Sequence, residues 1–361
     1  MRRWAESILV AAALAGALAP FPPAFVERWF STSFYPHVQH ALTPLSNLVP
    51  FALFDLLILS AAVLVGVMLT RAVRRARAAR TVAPVFATLG HLAASGAAVY
   101  LAFLGLWGLN YRRIPMRDRL EVSPGAPTSE AVMTLGTESA QRLNALYANA
   151  HAHGWGQPEW KDVPLRTAFR AAQHLLSDAA PAIPGRLKQT IFGPYFRWTS
   201  VDGMVDPFGL EVLANPDLLP WERPFVAAHE WAHLAGYADE SEANFVGWLT
   251  CLRADAPAQY SGWLYLFWEI SGEVSAGNRA QLMETLGAGP RQDVDAIVAR
   301  LRRGQIPLLR NTSWAVYDQY LKANRVDEGI RSYGEVVTLI LRAKFVDGWT
   351  PVRRASAPSS R

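Results

Sequence analysis

Three apolar stretches stand ahead of residue 111, at 4–20, 50–70 and 86–109, and a chain that sets them in lipid can cross it only as helix. The second and third exceed the roughly twenty residues that cover a hydrocarbon core. The first, WAESILVAAALAGALAP, is the shortest. With Arg2 and Arg3 before it and Ala17-Leu18-Ala19 near its end it also fits a secretory signal peptide. Pro20 would follow the cut directly and hinder processing, so an uncleaved anchor, and three spans in all, is the expectation. Composition agrees that part of the chain sits in lipid, since 51% of its 361 residues are hydrophobic and only 18% charged.

Arginine placement sets the orientation. The segment RAVRRARAAR, residues 71–80, carries five and the N-terminus two, whereas 21–49 holds only Arg28. The 71–80 loop is therefore expected in the cytoplasm and residues 111–361 outside it. Arg112, Arg113, Arg117 and Arg119 oppose this, but a long domain translocates largely regardless of such charges. The net charge of +5 is thus gathered where it orients a membrane protein, not on a stripe interleaved with aromatics, which argues against a nucleic-acid partner. Asp55 and His91 fall near span ends, where snorkelling accounts for them, and neither is given a role.

Residues 111–130, YRRIPMRDRLEVSPGAPTSE, mix charge with Pro, Gly and Ser and read as a linker leaving the membrane. A single folded domain is expected over 131–349. Apolar spacing of three and four predicts helices near 129–150, 164–178, 224–235, 240–253, 258–272, 292–302, 312–324 and 331–344, a mainly α domain. Segment 191–220, rich in Gly, Pro, aromatic and β-branched residues, predicts one or two short strands. The end, 350–361, has the composition of a disordered tail. Cys251 is the only cysteine, which excludes an intramolecular disulfide and a Cys-based zinc ribbon and suits a small buried hydrophobe.

Residues 229–233 read His-Glu-Trp-Ala-His. Histidines four apart share one face of a helix and can bind one zinc ion, with Glu230 beside them as general base on a zinc-bound water. Pro224 suits the first turn of that helix and Gly236 its stop. A catalytic zinc takes a third protein ligand, and Asp239, Glu240 and Glu242 compete for the place. Asp239 and Glu242 have the spacing of a capping box. Glu240 is left free, and Ala243, Asn244 and Gly247 continue its face with small side chains that let two helices approach closely. Glu240 is the preferred ligand, Asp239 and Glu242 remain alternatives, and Asn244 is expected to hydrogen-bond a histidine from outside the ligand set.

A histidine pair on one helix and EsEAN on the next resemble the gluzincin class of zinc metallopeptidases, with its E-x-x-A-D/N signature. HEWAHLAGYAD is also similar to a metzincin motif with Asp239 in place of the last histidine, without a convincing Met-turn. Across almost the whole chain, GLNYRRIP, DPFGLEVLANP, HEWAHLAGYADESEANFVGWL, VYDQYLKANRV and GIRSYGEVVTLIL resemble a bacterial family of membrane-anchored HExxH proteins recorded only as a domain of unknown function. The resemblance implies N-terminal spans followed by a helical zincin-like domain with a short β-element before the HExxH helix. The expectation is a multi-pass protein of the bacterial cytoplasmic membrane, a Zn2+-dependent hydrolase cleaving a peptide or protein substrate on the extracytoplasmic side. An intramembrane protease is excluded because LPWERPFVAAHEWAHLAGYADESE is too polar to cross a bilayer. The alternative is a membrane sensor or scaffold with a structural or degenerate zinc site, which would have no use for Glu230. Tyr317, Tyr320 and Tyr333 are candidate oxyanion donors but suit packing better, and none is assigned a catalytic role.

Overall fold

A computed structural model describes residues 2–155, 159–324 and 335–354 of the chain. Two helices, Leu53–Ala79 and Ala83–Leu106, are long and apolar enough to cross a membrane. The first helix, Arg2–Leu18, qualifies only together with Pro23–Asn47, from which it is bent by 108°. The bend falls at Pro20, Pro22 and Pro23, where missing N–H groups and an extended Pro22 (ψ 133°) end the hydrogen-bond ladder. After it, Val26–Phe34 is π-helical, and this run lays Val26, Phe30 and Tyr35 against the rest of the protein while Phe25, Trp29 and Phe34 stay exposed. The sequence expectation of three spans therefore becomes two unbroken helices and one broken pair.

The remainder is mainly helical, and its helices begin where short polar side chains can take up the free N–H groups of a first turn. Thr128, Asp162, Asp239, Asp255 and Ser275 each do so. Ser129–His153 packs along Ala256–Glu273, and Arg223–Leu234 packs along Glu240–Cys251, a deeply buried pair. Trp231 fills the centre, its ring 5.5 Å from Phe169 and its indole N–H on the Gly185 carbonyl. The expected helices are present as Ser129–His153, Val163–Leu176, Arg223–Leu234, Glu240–Cys251, Ala256–Glu273, Ala288–Gly304, Pro307–Ala323 and Glu335–Arg342. The start of the one expected at 331–344 lies outside the described residues, as does Tyr333. Ala276–Thr285 was not foreseen because it buries only Leu282 and so has no apolar stripe to read.

The expected β-element is a small sheet in the order β1-β3-β2, with β1 (Leu187–Lys188) parallel and β2 (Gly203–Asp206) antiparallel to β3 (Glu211–Ala214). Registers Gly203↔Ala214 and Asp206↔Glu211 make β2 an edge strand. Lys188 and Glu211 form an ion pair buried from solvent at 2.6 Å, and the Phe54 N–H also donates to Glu211. A second pair, β4 (Phe345–Val346) and β5 (Thr350–Pro351), closes the chain.

Three expectations need correction. Segment 111–130 is not a free linker: Arg112, Arg113, Met116 and Leu120 are buried. Arg112 donates to the carbonyls of Gly16 and Ala17, and Arg113 grips Glu27. The 350–361 tail is ordered through residue 354, where β5 pairs with β4 and Arg353 bridges Leu120; the remainder lies outside the described residues. Asp55 does have a role, accepting from the Ile191 N–H and the Thr190 hydroxyl.

Candidate metal centre

The Arg223–Leu234 helix starts with Pro224 in its first turn, where no N–H is lost, and the Ser261 hydroxyl accepts from the Phe225 N–H. It stops at Gly236, whose φ of +81° is open to glycine and where a Cβ would also press on Asn110. The reversal brings the Tyr237 carbonyl 2.7 Å from His233 Nδ1. A carbonyl only accepts, so Nδ1 carries a proton and Nε2 is the nitrogen that faces inward, toward Glu240. Three donors from residues ahead of 114 occupy carbonyls at this helix end: Trp107 Nε1 on His233, the Tyr35 hydroxyl on Leu234 and Arg113 on Gly236.

Asp239 caps the next helix through the N–H groups of Ser241 and Glu242, which makes Glu240 its first residue. The small face foreseen on that helix lets the two helices touch, since a Cβ on Gly247 would lie 3.1 Å from the His229 nitrogen. Glu240 Oε2 thereby comes to 3.4 Å from His229 Nε2 and 3.4 Å from His233 Nε2, and those two nitrogens are 3.1 Å apart. Three donors held about 2.0–2.2 Å from one tetrahedral zinc are about 3.3–3.6 Å apart; the two Glu240 edges fall in that range and the imidazole edge of 3.1 Å is slightly short of it. Glu240 Oε2 is buried without a hydrogen-bond partner, as expected of an atom placed for a cation. His229, His233 and Glu240 could hold a metal ion.

The alternatives are otherwise engaged. Asp239 caps its helix. Glu242 is buried but turned away, accepting from the Met116 N–H and facing Arg119 at 3.4 Å, so it completes neither the ligand set nor a capping box. Asn244 shares the Glu240 face, yet its Nδ2 has no partner and no bond to either histidine is formed, which corrects its expected role. The support comes instead from the Tyr237 carbonyl and from Tyr317, whose hydroxyl donates to Glu240 Oε1 at 2.6 Å. No local spacing points to Tyr317, which stands 77 residues away in the chain.

Charge in the triad is self-consistent. Burial disfavours the imidazolium of His233, but the Glu240 carboxylate outweighs it and raises His233 to about 9. Burial likewise opposes ionisation of Glu240, and His233 and His229 hold it well below the usual carboxylate range. Glu230 differs: burial pushes it up to about 7 against the pull of His229 and His233. Its carboxyl lies against the β2 backbone at Gly203, where a Cβ would overlap Oε1. Gly203→Ala is therefore expected to displace the Glu230 carboxyl, read as a shift of that side chain in a crystal structure of the variant.

A cavity of about 560 Å³ opens onto His229, Glu230 and Asn244. Phe225, Tyr265 and Trp268 form much of its wall, with Tyr265 stacked on Phe225 at 3.6 Å. The Tyr265 hydroxyl and the Trp221 indole N–H, both on residues that line it, are buried without hydrogen-bond partners.

A family model described as a protein of unknown function (DUF3810) matches residues 30–341. No curated protein and no solved structure matches the chain.

Proposed function

The chain belongs to the family of proteins of unknown function DUF3810, and from the chemistry of its site we propose that it is a membrane-anchored zinc metallopeptidase of gluzincin type. In this reading a zincin-like body hydrolyses peptide bonds on the extracytoplasmic side. The observation that carries the proposal is the convergence of two imidazole nitrogens and a buried carboxylate oxygen within 3.4 Å, beside a buried Glu230 and at the end of a cavity.

His229 Nε2, His233 Nε2 and Glu240 Oε2 would hold the zinc, which when bound supplies Lewis acidity to water and to the scissile carbonyl. Glu230 takes the proton from the attacking water and returns it to the leaving amine. The Tyr237 carbonyl keeps His233 in the tautomer that presents Nε2, and Tyr317 fixes the Glu240 carboxylate. Gly203 lines the cavity on edge strand β2, which supports substrate binding by main-chain addition to that edge. The extracytoplasmic placement is inferred from the arginine distribution, with the bent pair counted as one crossing of three.

The test is the full chain in lipid nanodiscs. About one zinc per chain, with cleavage of unfolded polypeptide that a chelator abolishes and zinc restores, is the expected result. Stoichiometric zinc without turnover on any polypeptide would favour a sensor or scaffold, and failure to bind metal would overturn the assignment.

A further inference from the structure

Ten large apolar side chains are exposed among the described residues beyond 110, and eight of them fall in 191–198 and 306–320. Single exposed apolar residues are ordinary on a soluble surface, but a joined patch is not. These two segments are joined: the Ile306 N–H donates to the Trp198 carbonyl at 3.0 Å and the Trp314 indole to the Thr199 carbonyl at 3.1 Å. Ile191, Tyr195, Trp198, Leu308 and Val316 stand out from the resulting face.

Both ends of that face touch span ends. Phe192 lies 6.0 Å from Phe54 at the start of the Leu53–Ala79 helix, where Asp55 also binds the Ile191 N–H. Tyr320 lies 6.4 Å from Phe103, in the last turn of Ala83–Leu106. The two helices are joined by the turn at 80–82, so the start of one and the end of the other share one side of the bilayer. A patch strung between those points sits at headgroup depth, and its Trp and Tyr are residues favoured there.

We infer that the face formed by 191–198 and 306–320 beds into the surface of the lipid bilayer. The cavity wall adjoins this face: Arg310 and Trp314 belong to the second segment, and Ser200 and Val201 directly follow the first. The cavity therefore opens along the membrane, and its substrate is the juxtamembrane stretch of another lipid-anchored or membrane-spanning polypeptide. The inference rests on the membrane-anchored peptidase reading above, and its test separates the two.

Leu308→Cys and Val316→Cys, 75% and 64% exposed, are labelled with a fluorophore in full chain held in phosphatidylcholine–phosphatidylglycerol nanodiscs containing nitroxide lipid. The native Cys251 is buried and out of reach of the label. Leu64→Cys on a span and Arg142→Cys on the solvent face are the references. Quenching at 308 and 316 at least half of that at 64, with none at 142, is expected. Quenching at 64 alone overturns the inference and leaves the anchor standing, and so does protection of 308 and 316 from both lipid and aqueous quenchers, which marks a protein partner or a second copy. No quenching at 64 removes the anchor itself. In the same nanodiscs a peptide carried on a lipid anchor is expected to be cleaved about tenfold faster than the free peptide, through its higher local concentration at the cavity mouth. Equal zinc-dependent rates would overturn the juxtamembrane substrate.

Discussion

Glu230→Gln is expected to lower peptide turnover by about 10²–10⁴-fold, the range a positioned general acid–base group contributes. Gln keeps the volume of a side chain that is only 3% exposed and removes its capacity to accept a proton. The loss should appear in kcat rather than in metal content, because the closest metal-binding set is His229, His233 and Glu240 without it. Its Oε2 has no hydrogen-bond partner, so the exchange breaks no buried bond at that atom. Zinc analysis beside single-turnover hydrolysis reads both quantities. Retention of full activity would remove Glu230 from the chemistry.

Glu240→Ala is expected to leave the full chain with little zinc after desalting and no measurable cleavage, whereas Asp239→Asn and Glu242→Gln keep the metal. The contrast follows from where each carboxylate points. Asn caps a helix about as well as Asp, so the Asp239 exchange preserves the turn that delivers Glu240. Glu242→Gln weakens a buried contact with Arg119 and should show as a lower Tm at unchanged metal content. Zinc retained by Glu240→Ala and lost by Glu242→Gln would reverse the assignment.

The centre was legible where its chemistry is local. Histidines four apart, Pro224 before them and Gly236 after them define one helix from its own residues, and the small side chains following Glu240 signal a close helix pair. The ligand choice came from that spacing. What supports the ligands was not legible, because Tyr317 and the cavity walls at Trp221, Tyr265 and Trp268 meet only after tertiary folding. Asn244 misled because sharing a helix face with a ligand does not set the direction of its amide.

The larger misreading concerned polar composition. YRRIPMRDRLEVSPGAPTSE reads as a tether by its charges, yet Arg112 and Arg113 are buried because carbonyls and Glu27 satisfy them. A guanidinium with five donors can knit irregular backbone together where lysine would remain in water. Asp55 was set aside as a snorkelling side chain near a span end, and its partners, Thr190 and Ile191, are 135 and 136 residues further along.

The three carbonyls occupied by Trp107, Tyr35 and Arg113 are those of His233 itself, Leu234 and Gly236. Shedding of the body by a cut near the membrane surface would strip away the Tyr35 and Trp107 donors and leave His233 on a fraying helix end. On the peptidase reading, such a cut would silence the protein instead of releasing it, which would confine its working range to the patch of bilayer that its own anchor can patrol.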